Sequence, residues 1–256
     1  MTRAFVIGAG KSLRKVDFDL LKPEVTLAMN RIDLLYEPFD DGDFHWPGTD
    51  WRPTHYLFTE NMATARRWGA IPEGHFCDYV VLKHMDGGED CYIRWEFRNE
   101  IDNWCKQHGR ESRAGKWDFP NVTWLDIEGC PHQDMNIAHP DKPRRWHLPT
   151  ICKFGGTGLA AIQTAFAKGY DPIYLVGFDL DYRYAPDDYP KDPNHFHPLY
   201  WTYDSHPPDE RDATLIWAHK IARREIEGMG RRVYNAGIGG RLEVYESVDL
   251  TSLFGG

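Results

Sequence analysis

Phe5-Val6-Ile7-Gly8-Ala9-Gly10-Lys11-Ser12-Leu13 is the stretch from which the rest of the chain is read. It opens in an apolar run, Ala4–Ile7, passes two glycines within three residues and enters a short helical stretch. An apolar run without strict alternation is the pattern of a strand buried on both faces. The glycines let the backbone approach a ligand closely, and N–H groups at a helix start favour an anion. Spacing rejects two common phosphate loops. A P-loop requires its first glycine where Phe5 stands, and a dinucleotide fingerprint requires a third glycine where Leu13 stands. The second apolar run ends in Asn30, with no clear acid to hold a ribose. What remains is a mononucleotide site, with a ligand-free strand–helix turn as the plain alternative.

Runs of the same kind recur at Val25–Met29, His55–Phe58, Tyr79–Leu82, Val122–Leu125, Ile173–Val176 and Arg232–Tyr234. Two helices are clear between them. One covers Gly158–Lys168 and closes on Gly169; the other covers Asp209–Met229 and starts with two acids after Pro207-Pro208. This alternation predicts an α/β fold with a doubly wound, mostly parallel, Rossmann-like sheet. Residues 37–54 and 181–208 interrupt it with Pro, Asp, His and aromatic residues and little periodicity. The organisation expected is a nucleotide-binding domain, 1–180 plus 209–256, with 181–208 as a lid and acceptor loop.

Composition narrows the classes further. At 256 residues and 41% hydrophobic content, one large domain can bury a core. The ten tryptophans exceed what a core demands and suggest a few aromatic residues lining a groove. A net charge of −9 argues against broad nucleic-acid binding, so a phosphate must be held by local donors and a few cations such as Lys153. Five cysteines, an odd number without a CxxC pair, fit reduced thiols in the cytoplasm. Neither a signal peptide nor an apolar span of ~18 residues is present, so the expectation is a soluble protein. The cluster Asn194-His195-Phe196-His197 has metal-binding side chains but no HExxH or CxxC partner, and no metal is expected there.

Several segments together resemble one family. Val6-Ile7-Gly8-Ala9-Gly10-Lys11-Ser12-Leu13-Arg14-Lys15-Val16-Asp17 is similar to the opening of bacterial sialyltransferases that use CMP-sialic acid. Flagellin-modifying glycosyltransferases and an archaeal-type pterin pyrophosphokinase are related to them. Ala28-Met29-Asn30-Arg31 resembles that family's second strand. Gly156-Thr157-Gly158, a ten-residue helix and Gly169-Tyr170-Asp171-Pro172-Ile173-Tyr174-Leu175-Val176-Gly177-Phe178-Asp179 resemble its later block, and Tyr203-Asp204-Ser205-His206 has the spacing that ends its lid. The likeness covers the first 30 residues and roughly 150–240. Lys11 replaces a usual proline, Ala9 a frequent asparagine, and Thr59 stands near another asparagine position.

The resemblance implies a single-domain, GT-A-variant-like glycosyltransferase. It would move a sialic-acid-like (nonulosonic) sugar from a CMP-activated donor to a glycan acceptor with inversion. His206 would be the general base, and Tyr182 and Tyr184 would hold the leaving phosphate. Gly8, Gly10, Ser12, Asn30, Thr59, Thr157, Gly158 and Asp179 would form the nucleotide site, with Ser12 also capping its helix. Trp201 and Tyr203 would meet the acceptor. No cofactor or metal is required, because CMP leaves with one phosphate. The partners are a sugar nucleotide and a glycan acceptor, not nucleic acid; a homo-oligomer and peripheral membrane contact are compatible with the resemblance. Two alternatives stay open: an ATP-dependent pterin-type pyrophosphokinase using Mg²⁺, and a non-catalytic nucleotide- or glycan-binding module. Each residue also has a bland reading, with His206, Thr157 and Asn30 at ordinary caps and turns, the tyrosines as packing and Asp179 as a structural acid.

Overall fold

The computed structural model describes residues 1–59, 90–94, 122–129, 148–153, 156–182, 192–200 and 208–255. In chain order the strands are β1 (Ala4–Ile7), β2 (Val25–Met29), β3 (Phe39–Asp40), β4 (His45–Trp46), β5 (His55–Phe58), β6 (Asp90–Arg94), β7 (Val122–Gly129), β8 (Thr150–Lys153), β9 (Ile173–Val176), β10 (Val233–Asn235) and β11 (Glu246–Ser247). Helices α1 (Gly156–Ala167) and α2 (Pro208–Gly228) flank β9 in sequence. Among the described residues nine strands form one sheet in the order β11-β10-β9-β1-β2-β5-β6-β7-β8, and each of these pairings is parallel. The chain builds outward from β1 to β8, then α1 carries it back to β9 on the other side of β1. The fold is therefore the expected doubly wound α/β sheet, and its order reverses between β1 and β9.

Burial on both faces explains the apolar runs. Ala4, Phe5, Val6 and Ile7 are all fully buried. Phe5 and Ile7 enter one core with Leu13, Phe18, Trp46 and Trp51; Ala4 and Val6 enter the other with α1 and α2. Helix α1 lies between the sheet and α2, so Leu159, Ala161, Ile162, Ala165 and even Gln163 and Thr164 are buried. It ends at Gly169, whose φ of +88° a residue with a Cβ rarely adopts, and whose N–H closes on the Phe166 carbonyl at 2.9 Å.

Strands β1, β2, β5 and β9 have the bounds the sequence predicts. Helix α1 begins two residues early at Gly156, and α2 begins at Pro208, which needs no N–H in a first turn. The strand expected from Val122 runs on to Gly129, and the one expected at Arg232 starts at Val233. Tyr79–Leu82 lies outside the described residues. Strands β6 and β8 escape sequence reading because Asp90, Arg94 and Lys153 dilute their apolar pattern. Residues 37–54 hold the antiparallel hairpin β3–β4, closed by Asp41, whose carboxylate accepts the Phe44 N–H at 2.9 Å. Trp46 and Trp51 pack on Phe18 in the core, so these two aromatic residues line no groove.

Three buried histidines make stability depend on pH. His55, at the amino end of β5, is 3% exposed; its Nε2 meets the Tyr170 hydroxyl at 2.8 Å. Burial first, then the Lys168 charge, holds its pKa down at about 4. His197 is likewise held at about 4 and His219 at about 3, both chiefly by burial. The unfolded chain protonates these rings near 6.5, so their contribution is complete above that pH and is lost as pH falls toward 4. Urea unfolding at pH 7.5 and pH 5 should show a drop of about 2 kcal/mol from His55 alone. An unchanged midpoint would contradict this account.

Candidate functional site

The carboxyl ends of β1 and β9 are joined through backbone and one carboxylate. Gly8 N–H donates to the Val176 carbonyl at 2.7 Å and Gly10 N–H to the Gly177 carbonyl at 2.8 Å. A Cβ on Gly8 would stand 2.4 Å from the Gly177 oxygen. A Cβ on Gly10 would stand 2.4–2.8 Å from the carboxyl atoms of Asp179. The Asp179 carboxylate accepts the Ser12 N–H at 2.8 Å through Oδ2 and the Ser12 hydroxyl through Oδ1. The anion at this turn is thus the chain's own side chain. Ser12 does not cap its helix, as its sequence position suggested; it lies inside the 3-10 turn Lys11–Lys15, whose cap Gly10 has no side chain to offer. Gly240, at φ +88°, supports Asp179 from behind, since a Cβ there would stand 2.5 Å from the Asp179 carbonyl oxygen.

The next two strands bring in Asn30, Thr59 and α1. Asn30 follows β2 at φ +54°, a left-handed conformation that asparagine tolerates better than most residues. Its N–H donates to Leu57 at 3.1 Å, and its carbonyl accepts the Tyr56 hydroxyl at 2.8 Å. Thr59, just past β5, shares a hydrogen bond of 2.8 Å with Thr157 in the first turn of α1. Gly158 lets the Phe178 ring lie against the helix start, where a Cβ would come within 2.8 Å of it. Gly156 stands at φ +72°, and no described residue lies within 4 Å of where its Cβ would point. Residues from three distant segments therefore meet at one edge of the sheet.

Residues 192–200 form a wall beside this edge. Phe196 N–H donates to the Ala9 carbonyl at 3.0 Å, and His195 bridges Gly10 in antiparallel fashion. Arg14 Nε donates to the Phe196 carbonyl at 2.7 Å; Arg31 Nη1 donates to the carbonyls of Leu199 and Tyr200 at 2.7 and 3.1 Å. Arg31 is 3% exposed, and burial pulls its pKa below the usual range against the opposing charge of Asp33. The centre of the 181–208 stretch is consequently pinned to the core. Asp192 accepts N–H groups from Asn194 at 2.7 Å and His195 at 3.1 Å, and His195 Nδ1 lies 2.7 Å from its other oxygen. The His195 ring stacks on Tyr200 with centroids 4.2 Å apart, and Tyr182 meets it edge-on at 6.2 Å. Burial raises the Tyr200 phenol well above its ordinary pKa, and the Asn30 side chain is among its hydrogen-bond partners.

His197 faces away from this arrangement. Its Nδ1 accepts the Leu199 N–H at 3.1 Å, and its ring packs on Phe39 at 4.4 Å. Among the described residues, no group of three or more His, Cys, Asp or Glu could hold a metal. His206, Tyr184, Trp201 and Tyr203 lie outside the described residues, as does the Lys153 side chain. The structure brings together Gly8, Gly10, Ser12 and Asp179 in one unit and Thr59 with Thr157 in another. Asp192, His195 and Tyr200 join them without having been singled out as a group by sequence. The signal available was Asp192-Pro193-Asn194-His195, where an aspartate precedes a tight turn that ends in histidine.

No family model matches this chain, and no curated protein matches it. Among solved structures it is similar to the sialyltransferase CstII from Campylobacter jejuni in complex with cytidine-5'-monophosphate. That match has 12% identity and a TM-score of 0.44, covering 97% of this chain and 85% of the other. The CstII complex with CMP-3FNeuAc matches at 12% identity and a TM-score of 0.43, covering 97% and 86%. The fold itself is read from the strand order above.

The Gly10–Asp179 contact is open to a direct test by urea unfolding. Gly10 has an ordinary extended backbone, so alanine there is opposed by contact alone. Gly10→Ala should cost about 1–3 kcal/mol, the usual range for overpacking. In an Asp179→Ala background most of that cost should vanish. Equal costs in both backgrounds would show that the glycine serves something other than the carboxylate.

Proposed function

We propose that this chain is a glycosyltransferase of the sialyltransferase type, moving a nonulosonic sugar from CMP to a hydroxyl of a glycan acceptor with inversion. The resemblance of Val6–Asp17, Ala28–Arg31 and Gly156–Asp179 to that family supports it. The observation that carries it is the Thr59–Thr157 bond at the first turn of α1, with Asn30 ending the neighbouring strand β2 on the same carboxyl edge, one strand from β1, where the strand order reverses. Ligands of open α/β sheets bind outside the carboxyl ends of strands at such a point, and a helix start offers N–H donors to a phosphate.

In this reading the phosphate lies at Thr157 and Gly158, because the Ser12 donors are already taken by Asp179. Asn30 and Thr59 contact the nucleotide, while Gly8, Gly10, Ser12 and Asp179 set the turn beside it. Tyr182 and Tyr184 attend the leaving phosphate, and Trp201 and Tyr203 the acceptor. A histidine takes the acceptor proton; His206 is the candidate drawn from sequence. One phosphate departs with its charge stabilised by hydrogen-bond donors, so the reaction calls for no bound metal. A pyrophosphokinase would need carboxylates for Mg²⁺; of the described residues beside this turn, Asp179 and Asp192 both accept protein donors.

Thermal unfolding with added nucleotides tests the donor. At about 100 times its Kd, CMP should stabilise the protein by about 2.7 kcal/mol, a rise of several degrees in Tm. UDP, GDP, NAD and ATP with Mg²⁺ should leave Tm unchanged. Asn30→Ala and Thr157→Val should each reduce the CMP shift. A response to ATP with Mg²⁺ and none to CMP would sink the assignment.

A further inference from the structure

Asp192 and His195 form an oriented carboxylate–imidazole pair at the crevice wall. The Asp192 side chain is 2% exposed, and one of its oxygens lies 2.7 Å from His195 Nδ1. A carboxylate only accepts, so Nδ1 carries the hydrogen and Nε2 of the neutral ring is left as an acceptor. Nε2 has no partner among the described residues, while the side chain keeps 12% of its surface exposed. The ring is held by the Tyr200 face, the Tyr182 edge and the backbone bridge to Gly10.

A buried acid that fixes an imidazole tautomer also stabilises the imidazolium formed when Nε2 takes a proton. Asp179 lies against Gly10, the residue His195 bridges, and adds a second negative charge nearby. The Thr59–Thr157 pair stands beyond β5, two strand spacings from β1, or ~10 Å.

We propose that His195, oriented by Asp192, accepts the proton of the acceptor hydroxyl in the transfer reaction, an inference that rests on the function proposed above. The acceptor oxygen bonds to the anomeric carbon as the bond from that carbon to the phosphate oxygen breaks. The electron pair of the broken bond leaves with CMP, and the hydroxyl proton passes to Nε2 and then to solvent. Asp192 acts only through His195 and is a positioning residue.

Steady-state transfer from a CMP-sugar to a glycan acceptor, followed as CMP release and product over pH 5–9, tests this in the full chain. His195→Gln should lower kcat by about 100-fold or more, with donor KM within about threefold and Tm nearly unchanged. Asp192→Asn should lower kcat while donor KM stays within about threefold, the split expected of a residue that acts through His195. Asp192 also caps its turn, so His195→Gln decides the matter if Asp192→Asn fails to fold. A His195→Gln enzyme with kcat within threefold of wild type overturns the assignment and returns the proton to His206, leaving the donor intact. If wild type transfers sugar from no CMP donor, the donor and His195 fall together.

Discussion

The Asp179 carboxylate holds together the place where this sheet reverses. It receives both the N–H and the hydroxyl of Ser12, tying the turn after β1 to the turn after β9. Hydrogen bonds to a charged group contribute more than neutral ones, about 1.5–3 kcal/mol each. The contact exists only because Gly10 has no Cβ on one side and Gly240 none on the other. Leu13 then packs under Gly177, another glycine at positive φ, and closes the core beneath the turn. The turn that looks made for a ligand's anion is filled by an anion of the protein.

That occupancy shifts the candidate site along the sheet edge. With the Ser12 donors used, the phosphate of the proposed reading is assigned to the start of α1 at Gly156–Gly158, on the same edge as Thr59 and Asn30. The 192–200 segment supplies the neighbouring wall, fixed by arginine-to-carbonyl bonds and by its pairing with the β1 turn. Its histidine–aspartate pair lies beside the β1 turn on the same edge.

Much of the fold was legible in sequence because buried parallel strands are written as apolar runs. Ala4–Ile7, Val25–Met29, His55–Phe58 and Ile173–Val176 carry that pattern undiluted, and their bounds coincide with the strands. Asp90–Arg94 and Thr150–Lys153 carry charges at their ends and were not legible. Residues 37–54 looked irregular because the hairpin β3–β4 has two-residue strands, too short for any period. In the site, the glycine spacing announced a close approach but not its partner. Nothing local in Gly8–Ser12 says that Asp179, 167 residues beyond Ser12, fills the turn. The Asp192–His195 pair was hidden for a different reason: its meaning comes from Gly10 and Tyr200, which only the folded chain places against it.

The central claim is that the nucleotide lies at the carboxyl edge between Asn30 and the start of α1. Backbone amide NMR of the labelled protein titrated with CMP tests it most directly. Saturable shifts confined to Asn30, Thr59, Thr157, Gly158 and the neighbouring 192–200 segment are the predicted result. Shifts centred on His55, Tyr170 and Lys168 at the opposite edge, or none at saturating CMP, would contradict it.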